Sequence, residues 1–488
     1  MMTQQELEKY LWGAATTLRG TIDAGDYKQY IFPLLFFKRI SDVYDEEFEK
    51  ALAESDGDME YAAFAENHHF QIPEGARWQD VREITVNIGQ ALQGAMRAIE
   101  QANPDTLQGI FGDASWTNKE RLSDAMLTNL IEHYSQHTLN LANVPDDKLG
   151  NAYEYLIKEF ADDSGHTAAE FYTNRTVVKL MTMIMDPQPG ESIYDPTCGS
   201  GGLLLNCALH LKDEGKEYRT LKLYGQEINL LTSAIARMNM FMHGIEEFEI
   251  VRGDTLANPG LIENGELKKF NVILANPPYS IKSWDRKAFE NDPYGRNLWG
   301  TPPQGCADYA FQQHIQKSLD LNNGRSISLW PHGILFRDSE AEMRRKMIEE
   351  DLVECVIGLG PNLFYNSSMV SCLLVTNNNK PEHKKNKVQF IQAVDTLRQE
   401  KTMSYLDDNH ILKILNAYTD FTIVDGFSSI VDCCSILKDD NSRLSVQLFV
   451  RDKVSPENSF DDILQDWKVS SNNLNIKMES FFSEKSYD

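Results

Sequence analysis

The groups in this chain best placed to do chemistry are three acids that each close a short run, and an amide followed by two prolines and a tyrosine. Asp195 ends "SIYD" and is followed by Pro196, Thr197, Cys198, Gly199, Ser200, Gly201 and Gly202. Three glycines let a backbone turn tightly and approach a ligand where a Cβ would collide. Two phosphate-binding patterns fail here: GxGxxG does not fit, with Leu204 after the glycines, and no GK[ST] follows. Asp195 would also repel phosphate, and favours instead a ligand with a cationic amino group and hydroxyls. Glu227, closing "LYGQE", is placed to accept two hydrogen bonds from a ribose diol. Asp254, closing "VRGD", is placed to accept from a purine amino group. The three acids together describe a nucleoside carrying an amino acid, and S-adenosylmethionine fits. Strand ends are loops, and loops favour Asp and Gly in any case, so no one position is decisive.

The second constellation is "NVILANPPYS". An amine on an aromatic ring is a poor nucleophile because its lone pair is delocalised. The Asn276 side-chain oxygen and the Pro277 carbonyl would accept its hydrogens and stabilise the charge that develops at nitrogen. Pro277 and Pro278 fix φ and hold those acceptors in place. Tyr279 would stack on a base withdrawn from a duplex. A bare "PPY" is also a common way to end a strand.

These residues need a scaffold that brings strand ends together. From about residue 166, short apolar runs alternate with helical stretches, which predicts a mostly parallel sheet. Strands are expected at "SIYD", "LKLYGQEI", "FEIVRGD", "NVILA" and "SISLW", with "LVECVIGLG" and "SSMVSCLLVTN" as a closing pair and "VQFIQAV" beyond. Ligands in such sheets sit at the carboxyl ends of strands, where the strand order reverses. Before this, the chain reads as helical. Tyr30, Leu34, Phe37, Ile40 and Tyr44 fall on one helix face, and Pro33 is expected in a first turn or at a kink. The division expected is a helical domain over 1–150, a catalytic domain over 151–380 and a further region over 381–488. The long segment "SIKSWDRKAFENDPYGRNLWGTPPQGC" offers Trp284, Tyr294 and Trp299 for stacking and Arg286 and Arg296 for phosphates.

A length of 488 residues exceeds one ordinary core. No apolar run approaches the roughly 20 residues of a membrane span, and the start lacks the pattern of a secretory signal. Seven cysteines without CxxC or His/Cys ligand spacing argue against structural zinc, and reduced thiols suit the cytoplasm. A net charge of −26 does not suit a protein that grips DNA alone. A basic patch must then be local, or a partner must supply it.

The order "AEFYTNRTVVKLM", "DPTCGSGG", "GQE", "GD", "NPPY" resembles the methyltransferases that modify adenine N6 in DNA, and more narrowly the modification subunit of type I restriction-modification systems. "LEKYLWGAATTLRG", "LGNAYEYLIKEFA", "GRSISLWPHGILFR" and "VIGLGPNLFYNSSMVSCLLV" extend the similarity over about residues 5 to 380. The resemblance implies a Rossmann-like, seven-stranded class I S-adenosylmethionine-dependent methyltransferase domain behind an α-helical N-terminal domain. It implies that Glu170, Phe171, Tyr172, Thr173, Asn174 and Arg175 border the methionine part of the cofactor. Asp195, Thr197, Gly199, Ser200, Gly201 and Gly202 would form its loop, Glu227 would hold the ribose, and Asp254 would meet the adenine. Asn276, Pro277, Pro278 and Tyr279 would grip the target base, with no metal. The implied partners are double-stranded DNA, a specificity subunit, a second modification subunit and, in the full complex, a restriction subunit, with no membrane. The family usually has proline where this chain has Asn174. A stand-alone adenine methyltransferase, a protein or RNA methyltransferase and a non-catalytic acidic scaffold are the competing readings. The absence of a recognition module counts against the first, the "EFYT" segment against the second, and the intact Asp195, glycines and Asn276 against the third.

Overall fold

The computed structural model describes residues 2–18, 22–163, 173–363, 369–400 and 403–451, with a few more between 464 and 474. Five helices dominate the first part: α1 (Gln4–Leu18), α2 (Lys28–Glu54), α3 (Ile88–Ala102), α4 (Asp124–Tyr134) and α5 (Asp146–Asp163). The spacing noted along α2 holds, because Tyr30, Leu34, Phe37, Ile40 and Tyr44 are all buried. Pro33 lies inside α2, past its first turn. Four polar residues of α2, Lys38, Arg39, Ser41 and Asp42, are buried as well, and each is answered. Lys38 pairs with Asp42, and Arg39 donates to the Val144 carbonyl at 2.7 Å and to Asp146 at 2.7 Å. Buried charges persist only when paired in this way, so α2 is the central post of the helical region.

Behind it, α6 (Arg175–Met185) leads into a sheet of nine strands. In chain order with their helices these are β1 (Ser192–Asp195), α7 (Gly202–Asp213), β2 (Lys222–Glu227), α8 (Leu230–Met242), β3 (Phe248–Arg252) and β4 (Val272–Ala275). There follow α9 (Asp308–Ser318), β5 (Arg325–Pro331), α10 (Ala341–Glu349), β6 (Val353–Leu359), β7 (Ser371–Asn377), β8 (Lys387–Ala393), α11 (Asp408–Thr419) and β9 (Ser428–Asp432). The spatial order is β3-β2-β1-β4-β5-β7-β6-β8-β9. The run from β3 to β5 is parallel, with Ile193 opposite Leu223 on one side and Val272 on the other. The expected closing pair forms, with β7 inserted antiparallel between β5 and β6. These seven strands have the class I methyltransferase arrangement, and β8 and β9 extend it by two.

The strands near the centre, "VILA" and "VECVIGL", are buried on both faces, as near-continuous apolar runs in parallel sheets must be. One layer packs Val178, Met181, Leu204 and Leu211 of α6 and α7 against the sheet. The opposite layer packs Phe311 and Ile315 of α9 with Met347 of α10. The helical region does not stand apart: Ala234, Ile235, Met238 and Met242 of α8 belong to the same apolar cluster as α1 and α2. At Gly150 of α5 a Cβ would meet the His243 imidazole, so these two bodies approach at backbone distance.

Candidate methyltransferase site

The chain runs β1, β2, β3 outward along one half of the sheet and then crosses back to β4 beside β1. The crevice at the carboxyl ends of β1 and β4 is therefore the switch point at which such sheets bind ligands. Asp195 is the last residue of β1 and Asn276 follows the last residue of β4. Asp195 and Asn276, far apart in the sequence, thus reach one crevice, whose small cavity is lined by Thr173, Arg175, Asp195, Thr197, Gly199, Ser200, Gly202 and Asn276 among others.

The glycine loop is set by its backbone. Gly199 (φ 54°) and Gly201 (φ 80°) are both left-handed, which a glycine adopts at little cost, and α7 starts at Gly202. The Gly199 N–H donates to Glu227 Oε2 at 3.0 Å and the Asn229 N–H to Glu227 Oε1 at 2.9 Å. Each oxygen keeps a lone pair, as a carboxylate that is also to hold a diol must. The Thr197 N–H donates to Asp195 Oδ1 at 3.0 Å. Asp195 is 1% exposed. Its burial, reinforced by the Glu227 charge and only partly offset by the Thr197 N–H, pushes its carboxyl up to about 8. Glu227 is pushed up too, by burial. Two buried acids with no cation paired to either among the described residues are an unfavourable arrangement that a positively charged ligand would relieve. Thr197 Oγ1 is buried with no hydrogen-bond partner among the described residues. An amino acid nucleoside fits this donor and acceptor set, in which Asp195, Thr197 and Glu227 supply the polar groups.

The base side is locked from two directions. Asn276 Nδ2 donates to Thr173 Oγ1 at 2.9 Å, and the Tyr279 hydroxyl donates to Asn276 Oδ1 at 2.6 Å. The expected acceptor oxygen is thus already shared with the expected stacking residue. That oxygen keeps a second lone pair. Pro277 is buried and Pro278 exposed.

Several expected residues lie outside the described ones or are engaged by neighbours. Glu170, Phe171 and Tyr172 lie outside the described residues. Asn174 has φ −52° and ψ 119°, values the family's proline would also adopt, so the replacement leaves the backbone unchanged. Its buried side chain caps α6 by accepting from the Thr176 N–H at 3.0 Å and donates to the Ser404 carbonyl at 2.9 Å. It is therefore engaged in holding the segment. Asp254 is exposed two residues beyond β3, and its Oδ1 accepts from the Leu256 and Ala257 N–H groups in a local turn. In the long segment, Trp299 is fully buried and donates to Glu350 at 3.1 Å, so it cannot stack on a base. Arg296 is 3% exposed, forks onto Asp292 and donates to the Thr255 and Leu256 carbonyls, which leaves nothing for phosphate. Trp284 and Arg286 stay nearer the surface, bonded to the Gln304 carbonyl and to Glu290.

Glu154 and Asn239 escaped the sequence reading. Glu154 of α5 pairs with Arg175 and accepts from Asn239 Nδ2 at 2.7 Å, and the same amide donates to the Ser200 carbonyl at 3.0 Å. The Arg175 guanidinium occupies the space that a Cβ on Gly202 would take. The helical region thus buttresses the glycine loop through Glu154, which sits in a family-like stretch but had no role assigned from the sequence.

A sheet in this order with an acid and glycine loop at β1 and Asn-Pro-Pro-Tyr at β4 defines an S-adenosylmethionine-dependent methyltransferase of amino groups. The sequence model of the N-6 DNA Methylase family matches residues 144–458, and that of the HsdM N-terminal domain matches residues 7–134. The type I restriction enzyme MjaVIII methylase subunit of Methanocaldococcus jannaschii is 31% identical over 87% of this chain and 75% of its own length. The MpnII methylase subunit of Mycoplasma pneumoniae is 27% identical over 96% and 98% respectively. The crystal structure of a type I restriction-modification methyltransferase subunit from Streptococcus thermophilus superposes with a TM-score of 0.79 at 29% identity, covering 92% of this chain and all of that one. The chain belongs to the N-6 DNA methylase family, among the modification subunits of type I restriction-modification systems: it is an adenine-specific, S-adenosylmethionine-dependent DNA methyltransferase. No helix among the described residues is long and apolar enough to cross a membrane.

Proposed function

We propose that this subunit works in the cytoplasm on an adenine turned out of duplex DNA, at a sequence chosen by a separate specificity subunit. A second modification subunit would flank that partner, and a restriction subunit would join the full complex. The observation that carries the reading is the convergence of Asp195 and Asn276 on one crevice, with Thr173 touching Asn276 and lining the same cavity. The net charge of −26 supports reliance on a partner for DNA affinity.

The cofactor supplies an electrophilic methyl group. Asp195 attracts its cationic end, Glu227 accepts from its ribose and Thr197 Oγ1 finds there the partner it lacks. Ile228, 61% exposed beside Glu227, offers an apolar face to a purine. Asn276 Oδ1 and the Pro277 carbonyl accept from the adenine amine, which draws its lone pair toward transfer. Holding both reactants in line supplies much of the rate, and the proton released from nitrogen leaves through these acceptors to water. Tyr279 packs on the base. The test is methylation of host DNA by the chain with and without its specificity partner, read as N6-methyladenine. Asn276→Ala should abolish the signal while cofactor binding persists; retained activity would show that the base pocket lies elsewhere. Efficient, site-specific methylation by the chain alone would refute the division of labour.

A further inference from the structure

Beneath the turn that leaves Asn-Pro-Pro-Tyr lies a buried charged cluster that the roles above do not use. Ser280, next after Tyr279, has φ 52°. A residue with a Cβ enters that left-handed region only at a steric cost, so the surroundings must hold it there. The holder is Asp308, whose Oδ1 accepts from the Ser280 N–H at 2.7 Å. Asp308 is fully buried at the first residue of α9. Its Oδ2 accepts from Arg337 Nη2 at 2.5 Å, and Arg337 Nε donates to Glu340 Oε2 at 2.8 Å. Glu340 is fully buried as well, and burial raises its carboxyl against the pull of Arg337. Burial opposes the charge on Arg337, but its bonds to Glu340 and Asp308 outweigh this and hold it protonated.

Cys306, Asp308 and Glu340 present ligand atoms within 4.8 Å of one another, a spacing open to a metal ion. Arg337 already places a cation on an oxygen of each carboxylate, which makes the cluster an ion-pair network. The cluster meets the reaction through the Ser280 N–H, one residue from Tyr279, whose hydroxyl meets Asn276 Oδ1 at 2.6 Å.

We propose that Asp308, fixed by Arg337 and Glu340, is a positioning residue for methyl transfer: it anchors Ser280 and so sets the direction in which Tyr279 and Asn276 face the base. A charged, buried acceptor holds an N–H more firmly than a neutral or solvated one, and a misplacement of about 1 Å at a reacting centre costs roughly 100-fold in rate. The inference rests on Asn276 as the acceptor of the amine.

The test compares wild type, Asp308→Ala and Asp308→Asn in the assembled complex, measuring kcat, the S-adenosylmethionine Kd by calorimetry, and Tm. For Asp308→Ala, kcat should fall roughly 100-fold while the cofactor Kd stays within about twofold. Asp308→Asn keeps an oxygen for Ser280 and should recover most of the loss. An unchanged kcat in Asp308→Ala would overturn the proposal, as would a cofactor Kd that worsens in proportion to kcat. If Asp308→Ala does not fold, Arg337→Lys decides, since it keeps the charge but breaks the fork: a fall in kcat of about tenfold at constant Kd supports the proposal, and no change refutes it. Wild type without N6-methyladenine in product DNA would instead sink the functional reading on which this rests.

Discussion

Asp195 should make cofactor binding depend on pH in a way that its burial dictates. Its carboxyl sits at about 8 in the free protein against an ordinary 3.8. The folded chain therefore keeps a proton that the unfolded chain loses, so this group makes the free protein less stable as pH rises through that window. A cationic ligand beside Asp195 prefers the carboxylate, so binding must expel that proton. Affinity should then rise about tenfold per pH unit below 8 and level off above it. Between about pH 5.5 and about pH 7.5 the cofactor's own amine stays mostly charged, which leaves the protein as the main source of the effect. Over that span the dissociation constant should fall about 80-fold if only the carboxylate form binds. Glu227, also raised by burial, acts in the same direction. Calorimetry in two buffers of different ionisation enthalpy gives both the dissociation constant and the number of protons released, expected near one at pH 6.5. Asp195→Asn should bind more weakly and with a flat profile. A wild-type profile flat to within about twofold, with no proton release, would refute the argument.

Two further outcomes follow from the corrected geometry. Tyr279→Phe removes the hydroxyl from Asn276 Oδ1 but keeps the ring, so turnover should stay within about tenfold of wild type, while Tyr279→Ala should lose about 1–3 kcal/mol of base affinity, measured by DNA titration. Arg296→Ala leaves Asp292 buried without its partner and should cost roughly 3–5 kcal/mol in denaturant unfolding; a weaker salt dependence of DNA binding with unchanged stability would instead restore Arg296 as a phosphate contact.

Much of the site was legible because its backbone requirements leave marks on the sequence. Gly199 and Gly201 need left-handed φ, Pro277 and Pro278 fix their own, and the apolar runs ahead of Asp195 and Asn276 can only be buried strands. The alternation of strand and helix then implies a parallel sheet and, with it, a crevice at the strand ends. Trp299 and Arg296 show the limit, since an aromatic or basic residue in a loop reads as available until its neighbours are known. Gln313 and Glu350 enclose the first, Asp292 and two carbonyls the second.

The sequence by itself determined which chemistry the chain carries, because that chemistry needs particular residue types at short, fixed spacings. Only the tertiary structure decided who supports them: Glu154 under the glycine loop, Ser404 on Asn174 and Asp308 under Ser280. These partners lie 28 to 230 residues from what they hold. A hydrogen bond to a carbonyl or N–H asks only for a donor or acceptor in the right place, so it leaves no pattern along the chain.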